Sequence, residues 1–212
     1  MKRLRKEQER EKKSFRENLL RSLFEKYDTI ILDEILIPNR NSVVLDPEEV
    51  YKQITVKMQH KGVIQRGVVK GSEVGSTQFL AKENDFIISK IDARNGAMGL
   101  VPAELDNAIV TNDFPLFNFS EDCLPKYFNF VANTAYFDQK CVAASEGTTN
   151  RVRLKMDRFK LIEIPFPPIE EQSRIVMLLE KFSQAAQLQA AQLAELDALL
   201  PSVLDKAFKG EF

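Results

Sequence analysis

The sequence predicts an α+β fold in which one mixed domain is preceded by a short basic helix and followed by a long coiled-coil helix. Residues 1–26 contain no Gly or Pro and are rich in helix formers. Residues 27–167 consist of short β-branched runs separated by glycines and turn residues, which is typical of strands and hairpins. Residues 168–212 place apolar side chains at alternating spacings of three and four, which indicates a heptad helix. We therefore expect three segments with these bounds.

Basic residues are concentrated in the first segment. The whole chain has 212 residues and a net charge of −1, but residues 1–26 hold ten Lys or Arg and five Glu, which leaves 20 of the 30 basic and 26 of the 31 acidic residues for the rest. The apolar residues of this helix crowd its second half, so we expect that half to dock and the first half to be solvated. A basic helix either follows a phosphate backbone or presents a solvated face, and the sequence leaves both open.

The middle segment has strand and loop signals in alternation. Strands are expected at 85–91 and 107–111, on either side of a glycine-bearing loop at 94–99. Apolar residues along one side predict a single amphipathic helix at 125–139. A short helical turn is expected at 156–162.

The last segment begins after Pro165, Pro167 and Pro168, which cannot sit inside a helix, so the chain enters it extended. A continuous helix from 170 to 209 would be about 60 Å long, so part of it is expected to project or to meet a partner helix. Pro201 lies inside the pattern and predicts a kink or a break. The predicted seam, which we expect to pair two copies, consists of Ile175, Leu179, Phe182, Ala186, Gln189, Leu193, Leu196, Leu200 and Val203. Its polar member, Gln189, either fixes the register or marks a weak stretch.

Most enzyme signatures do not occur in the sequence. It has no GxxxxGK phosphate loop, no GxGxxG motif and no GxSxG elbow. Cys123, Cys141 and His60 are too few for a disulfide framework or a zinc site, so we expect no metal, no bound cofactor and a reducing cytoplasmic compartment. No apolar run is long enough to span a bilayer, and the first 26 residues lack the apolar centre of a signal peptide, so no membrane role is expected.

Polar and cationic side chains gather in three glycine-adjacent loops, KMQHKG, KIDARNG and GTTNR, and near them. Arg and Lys read guanine edges, Asn and Gln read adenine edges, and Thr serves phosphates or bases, so this set is suited to reading duplex DNA. Its members are Lys57, Gln59, His60, Lys61, Gln65, Arg66, Lys90, Arg94, Asn95, Asn112, Thr148, Thr149, Asn150, Arg151 and Arg153. We take all of these except His60, Gln65 and Arg153 as the candidate DNA contacts.

Five segments of the chain form a distinctive set: DFIISKIDARNG (85–96), VTNDFP (110–115), GTTNR (147–151), IPFPPIEEQSRIV (164–176) and the terminal AFKGEF (207–212). Together they resemble one family, the specificity (S) subunit of type I restriction-modification systems. The resemblance runs from about Tyr27 to the end of the chain. The resemblance implies a target recognition domain at 27–167, followed by a conserved spacer helix at 168–212.

The resemblance also implies that DNA recognition and catalysis belong to different subunits. The usual family member carries two such units and reads a two-part site, whereas this chain shows one unit, so we expect a half-subunit that forms a homodimer through residues 169–208. The helix pair would then set the distance between two half-sites on double-stranded DNA. Modification (M) subunits would supply S-adenosylmethionine and adenine methylation, and restriction (R) subunits would supply ATP-driven translocation and cleavage. This chain would be non-catalytic and carry no cofactor.

Two alternatives stay open at this point. The ARNG and TTNR segments either contact bases or hold the loop scaffold or a phosphate. A different class of protein, a coiled-coil assembly protein whose α+β domain binds protein and not DNA, also fits the composition. Salt-dependent binding to duplex DNA would separate the two classes.

Overall fold

The computed structural model describes residues 2–148 and 152–209, and it has a mixed α+β fold. Side chains are described for residues 10–148, 152–192, 194–195, 199 and 208–209. The helices are α1 (Lys2–Lys26), α2 (Leu32–Ile35), α3 (Pro125–Ala132), α4 (Ala135–Ala143), α5 (Met156–Phe159) and α6 (Ile169–Lys209). The strands are β1 (Thr29–Ile31), β2 (Leu36–Asn39), β3 (Ser42–Val43), β4 (Val50–Val56), β5 (Val63–Lys70), β6 (Gln78–Leu80), β7 (Phe86–Ile88), β8 (Met98–Leu100), β9 (Ile109–Val110), β10 (Leu116–Phe119), β11 (Ser145–Glu146), β12 (Arg153–Leu154) and β13 (Glu163–Pro165).

Two larger sheets form the body of the domain. One is antiparallel with the order β2-β10-β7-β8, and the other has the order β3-β6-β9-β4-β5, in which only β4 and β9 run parallel. Strand β7 is buried on both faces, because Phe86 and Ile88 belong to the core shared with the helices, whereas Ile87 belongs to the core that the second sheet contributes to. A strand covered on both sides reads as an unbroken apolar run, which is what the sequence shows there.

The strand pair β1–β13 brings the two terminal helices together. Thr29 pairs with Pro165 and Ile31 with Glu163 in an antiparallel register. Because α1 leads into β1 and β13 leads into α6, the end of the first helix and the start of the last one leave the same short ribbon. The helices then run antiparallel, with Lys26 3.7 Å from Glu171 and, further along, Phe15 stacked on Phe182.

The single helix predicted at 125–139 is wrong, because the structure has two helices, α3 and α4, with a break at 133–134. The hydroxyl of Thr134 donates to the carbonyl of Val131 and accepts from the backbone N–H of Phe137, so this residue caps α4. A side chain that satisfies the free N–H groups of a helix start favours a new helix over continuation of the previous one. The predicted strands at 85–91 and 107–111 occur in shortened form as β7 and β9.

The first turn of α6 is held by the fully buried side chain of Gln172. Its Nε2 donates to the carbonyls of Asp122 and Pro167, both at 2.9 Å, and its Oε1 accepts from the backbone N–H of Leu124 at 2.9 Å. This amide therefore links the start of α6 to the start of α3. The helix continues through Pro201, so the break considered there does not occur.

The predicted seam of α6 divides into two parts. Ile175 is buried in the main core, Leu179 packs against that core and Phe182 stacks on Phe15 of the same chain. These three positions were expected to face a second copy, but they face their own domain because β1–β13 directs α1 and α6 side by side. Ala186 is half-buried and Gln189 is exposed. The pairing role of Leu193, Leu196, Leu200 and Val203 stays a prediction, because their side chains lie outside the described set.

Candidate nucleic-acid interface

Three loops are considered together: loop A (57–62), loop B (90–96) and loop C (147–152), of which residues 147, 148 and 152 are described. Loop A connects β4 to β5, and it docks on loop B through two backbone hydrogen bonds. The N–H of Gln59 donates to the carbonyl of Asn95 at 2.7 Å, and the N–H of His60 donates to the carbonyl of Gly96 at 3.0 Å. Loop C connects β11 to β12, and the N–H of Leu154, just beyond it, donates to the carbonyl of Lys90 at 2.7 Å. Loop A is therefore in contact with loop B, and β12, which follows loop C, is hydrogen-bonded to the start of loop B.

Loop A has an uncommon backbone conformation. Gln59 and His60 both lie in the left-handed region, with φ of 60° and 53°. Such a conformation costs a non-glycine residue on the order of 1–3 kcal/mol, and it persists only where neighbouring contacts hold it. The two hydrogen bonds to loop B supply part of that hold. Loop A is thus presented in a fixed shape.

His60 connects loop A to helix α4. Its Nε2 lies 3.0 Å from Oδ2 of Asp138, at hydrogen-bonding distance, and its ring packs directly on Gly96. A Cβ at position 96 would come within 2.7 Å of His60 Nε2, and Gly96 has a φ of 70°, so both the space and the backbone require glycine there. Within the described part of the chain, Nδ1 of His60 and Oδ1 of Asp138 are buried without a hydrogen-bond partner.

Helix α1 forms a wall opposite loops A and B. It is anchored by the buried side chains of Leu20 and Leu23, and Glu17 Oε1 accepts from the N–H of Ala135 at 2.6 Å, at the start of α4. Between this wall and the loops lies an open cavity of about 680 Å³, which we call the basic cleft. The basic cleft is lined by Arg10, Lys12, Lys13, Arg16, Gln59, His60, Arg94, Asn95, Asn133, Thr134, Ala135 and Asp138. It therefore combines five Lys or Arg side chains with one carboxylate, and that carboxylate is engaged by His60.

The predicted DNA contacts fall into four places. Gln59, Arg94 and Asn95 line the basic cleft. Lys57 and Lys61 are exposed in loop A, and Arg66 is exposed on the edge strand β5. Lys90 and Asn112 line a separate pocket and contact each other, with Lys90 Nζ donating to Asn112 Oδ1 at 3.3 Å. Thr148 is exposed in loop C, whereas Thr149, Asn150 and Arg151 lie outside the described residues.

The separate pocket has a volume of about 360 Å³ and combines aromatic and basic side chains. Phe79, Phe114 and Phe117 supply its aromatic lining, and its basic members are Arg40, Lys90 and Lys160. It lies on the other side of loop B, so the candidate residues do not converge on one point.

Sequence reasoning did not include Arg10, Lys12, Lys13 and Arg16 among the contact candidates. Their only signal was the concentration of basic residues at 1–26, which fits a solvated face equally well. Their position opposite loop B depends on contacts between residues more than a hundred positions apart, such as Glu17 with Ala135. No local pattern reports such a contact.

The two cysteines belong to the core and not to the site. Burial raises the pKa of Cys123 to about 12, and burial, with the Asp138 carboxylate adding to it, raises the pKa of Cys141 well above its ordinary value. Both thiols are therefore protonated near neutral pH, and neither acts as a nucleophile in the folded chain. Across residues 2–148 and 152–209, no group of three or more His, Cys, Asp or Glu is arranged to hold a metal ion. None of the helices in this part of the chain has both the length and the apolarity needed to cross a bilayer.

Three solved structures have a fold similar to that of this chain. The chain is similar to the HsdS subunit from Thermoanaerobacter tengcongensis, with a TM-score of 0.64 and 19% identity over 85% of this chain and 49% of that one. It is also similar to a chain from a structure of a type I R-M system described for complex assembly and conformational transition, with a TM-score of 0.61, 19% identity, and coverage of 85% and 49%. A third match is the type I restriction-modification S subunit from M. genitalium, with a TM-score of 0.52, 15% identity, and coverage of 87% and 46%. The chain thus spans about half the length of each.

The sequence comparison adds the family. No curated protein sequence matches the chain significantly. The model of the type I restriction modification DNA specificity domain, however, matches residues 26–198, which include all of the α+β body and much of α6. The match is consistent with the resemblance carried by the proline-rich entry to α6 and by loops B and C. The chain therefore belongs to the type I restriction-modification DNA specificity family.

Proposed function

We propose that the chain is the DNA sequence-specificity part of a type I restriction-modification complex. The observation that carries the proposal is the family match over residues 26–198. In this proposal the α+β domain reads one half-site of duplex DNA, and the chain positions modification and restriction subunits that perform the chemistry. The residues that would read and hold the duplex are those of loops A, B and C together with their exposed neighbours.

The geometry of the loops supports a reading role. Loop A is held on loop B by backbone hydrogen bonds and on α4 by the His60–Asp138 contact, so its shape does not depend on the exposed side chains of Lys57 and Lys61. The side chains of Lys57 and Lys61 are exposed there. A fixed loop with free side chains lets sequence specificity change without loss of the fold. Arg94 and Asn95, on the facing loop, offer the guanidinium and amide groups that pair with base edges or phosphates.

Selection from a pool of randomised duplexes, followed by binding measurements with the selected duplex, tests this proposal. We expect the chain, alone or with a modification subunit, to prefer the selected duplex over a scrambled one by at least about a thousandfold. Arg94→Ala is expected to weaken specific binding by about 1–3 kcal/mol if the side chain reads a base. Arg21→Ala is the matched control, because Arg21 is exposed on α1 and does not line the basic cleft. Equal binding to all duplexes, or no binding in the presence of the modification subunit, would contradict the proposal.

We further propose that two copies pair through the part of α6 beyond the domain. Leu188 and Leu199 in that part are 66% and 58% exposed within the single chain. They are eleven residues apart, which is three turns, so they share a face of α6. That face lies about a quarter of a turn from the predicted seam, and pairing through Leu193 and Leu196 is supported by their heptad spacing. An apolar helix that projects from its domain is stabilised by a partner helix, and a second copy would supply a second recognition domain for a two-part site.

Sedimentation of Leu193→Glu combined with Leu196→Glu tests the pairing. We expect the parent chain to sediment as a dimer and the double variant as a monomer, because two buried carboxylates per helix would be left without partners. Gln184→Glu combined with Gln187→Glu adds the same charge at exposed positions and should leave the dimer intact. A monomeric parent, both alone and in the complex with modification subunits, would dispose of the pairing but not of the DNA-reading role.

A further inference from the structure

The basic cleft has two walls from distant parts of the chain. One wall is the family domain, through loops A and B and the start of α4. The other is α1, which lies almost wholly before the matched range of residues 26–198. Of the five Lys or Arg side chains in the cleft, four come from α1 and only Arg94 comes from the loops. Most of the positive charge at this site is therefore supplied by a segment outside the recognisable recognition domain.

The position of α1 is determined by packing and not by its charges. Phe15 stacks on Phe182 with ring centroids 4.4 Å apart, and Leu20 and Leu23 are 2% and 4% exposed. Glu17 accepts from the first N–H of α4, the same helix that carries Asp138. These contacts fix the rotation of α1 about its axis. Its residues Arg10 and Lys13 then line the cleft and do not point away from the domain.

The composition of the cleft fits a sugar–phosphate backbone. Cations are present on both walls, and the amides of Gln59 and Asn95 supply further uncharged donors. The α1 residues from 10 to 16 extend over about 9 Å of helix axis. One strand of a duplex carries one charge per about 3.4 Å of its axis, so a stretch of that length holds about three phosphates. Arg10 and Lys13, which line the cleft from α1, would supply counter-charge to that stretch.

We infer that α1 is a phosphate clamp for the recognition domain, which holds the backbone of the duplex against loops A and B irrespective of base sequence. This inference rests on the proposed DNA-reading function and assigns a separate part of it to α1. Loops A, B and C would read the bases, and α1 would supply affinity without selectivity. Phosphate contacts position a protein on the duplex, whereas base contacts specify the site.

The inference is tested with Arg10→Gln combined with Lys13→Gln, two exposed cleft residues of α1. The matched control is Arg21→Gln combined with Lys181→Gln, which removes the same charge from exposed positions of α1 and α6 outside the cleft. Binding of the selected duplex and of a scrambled duplex of equal length is measured by fluorescence anisotropy at several salt concentrations. Circular dichroism melting of each variant verifies that the fold is intact.

The cleft variant should bind both duplexes more weakly, by the same factor for each. Loss of two phosphate contacts should reduce the slope of log affinity against log salt by about 1.8, which makes its affinity deficit about tenfold greater at 50 mM than at 200 mM salt. The control variant should show the same slope of log affinity against log salt as the parent chain. Arg94→Gln, on the opposite wall, should instead weaken binding of the selected duplex more than that of the scrambled one, because loop B is assigned to the bases.

Five outcomes would overturn the clamp. If the cleft variant has the same slope of log affinity against log salt as the parent, α1 makes no phosphate contact. If the variant loses affinity only for the selected duplex, Arg10 and Lys13 read bases. Competition by polyglutamate as effective as that of DNA of equal charge would assign the cleft to an acidic protein segment. If the parent binds neither duplex, the DNA-reading function fails and the clamp fails with it. If the parent binds the selected duplex specifically and the cleft variant binds both duplexes as tightly as the parent does, only the clamp is refuted.

Discussion

Phe15 of α1 and Phe182 of α6 stack face to face, with ring centroids 4.4 Å apart and planes 13° from parallel. The two residues are separated by almost the whole chain, yet this contact holds the basic helix beside the long helix. Because Phe182 is one of the predicted seam positions, Phe15 covers that position with a side chain from the same chain. The placement of α1, and with it the basic cleft, therefore depends on apolar packing.

Phe15→Ala is expected to release α1 from the domain. The substitution removes the stacked pair and leaves a gap over Phe182, at a cost of about 1–3 kcal/mol for a half-buried ring. Hydrogen exchange should show faster exchange of the amides of α1, with little change in the sheets. Phe208→Ala, at a position 88% exposed, is the control and should leave exchange unchanged. Equal protection of α1 in both variants would show that the stack does not hold the helix.

Gln172→Ala is expected to destabilise the junction of α6 with the domain. The change leaves the N–H of Leu124 and the carbonyls of Asp122 and Pro167 without their partner, and unsatisfied buried groups cost about 1–3 kcal/mol each where water cannot replace the bond. Urea unfolding should give a loss of about 2–4 kcal/mol in the free energy of unfolding. Gln184→Ala, at an exposed position of the same helix, should change it by less than about 0.5 kcal/mol. A small effect at position 172 would mean that water takes over these bonds.

Gly96→Ala is expected to disturb the contact between loops A and B. The added Cβ would lie 2.7 Å from His60 Nε2, and the alanine would have to keep a φ of 70°. The loop or the imidazole must therefore move. We expect a loss of about 1–3 kcal/mol in stability and weaker binding to the selected duplex. Gly75→Ala is the matched control, because its Cβ would meet nothing within 4 Å. Unchanged stability and binding at position 96 would show that the loops tolerate the displacement.

The two buried thiols are expected to be unreactive in the folded chain. The raised pKa values of Cys123 and Cys141 keep both protonated at neutral pH, and the thiolate is the reactive form. A colorimetric disulfide reagent should therefore label neither thiol in the native protein and both after unfolding in guanidinium chloride. Rapid labelling of the native protein at pH 7 would show that the core around α3 and α4 opens readily.

Asp85 should give the stability a pH dependence of the opposite sign from that of a paired carboxylate. Burial raises its pKa above the ordinary value of 3.8, although the bonds from the Lys82 N–H and the Asn39 amide lower it in part. The folded state therefore holds this proton more tightly than the unfolded state. The stabilisation from this bound proton is fully present below about pH 3.8, and it is lost as the pH rises through the raised pKa of Asp85 in the folded state.

Asp85→Asn removes this titration. The stability of the parent should fall relative to that of the variant as the pH is raised from about 4 toward neutrality, and denaturant unfolding at a series of pH values measures the difference. Asp157→Asn, at an exposed position, serves as the control. A difference between parent and Asp85→Asn that stays constant with pH would show that Asp85 is ionised as readily in the folded state as in the unfolded state.

Much of the fold and part of the candidate site are predictable because their signals are local. The turn residues mark loops A, B and C, the prolines mark the start of α6, and the absence of Gly and Pro marks α1. The break between α3 and α4 was missed because the apolar stripe continues across it, while Thr134 caps the second helix through a bond that competes with the stripe. Periodicity reports which face is apolar, but it does not report which neighbour will cover that face.

The sequence by itself determined the mixed α+β class, the basic helix before it, the long helix after it, and the glycine-bearing loops through which the family is recognisable. Tertiary structure alone decided that Ile175, Leu179 and Phe182 face their own domain and that Arg10 and Lys13 lie opposite Arg94. The reason is physical. Helix and turn preferences depend on neighbours within a few residues, whereas the short ribbon of β1 and β13 sets two distant helices side by side, and that pairing creates the charged cleft.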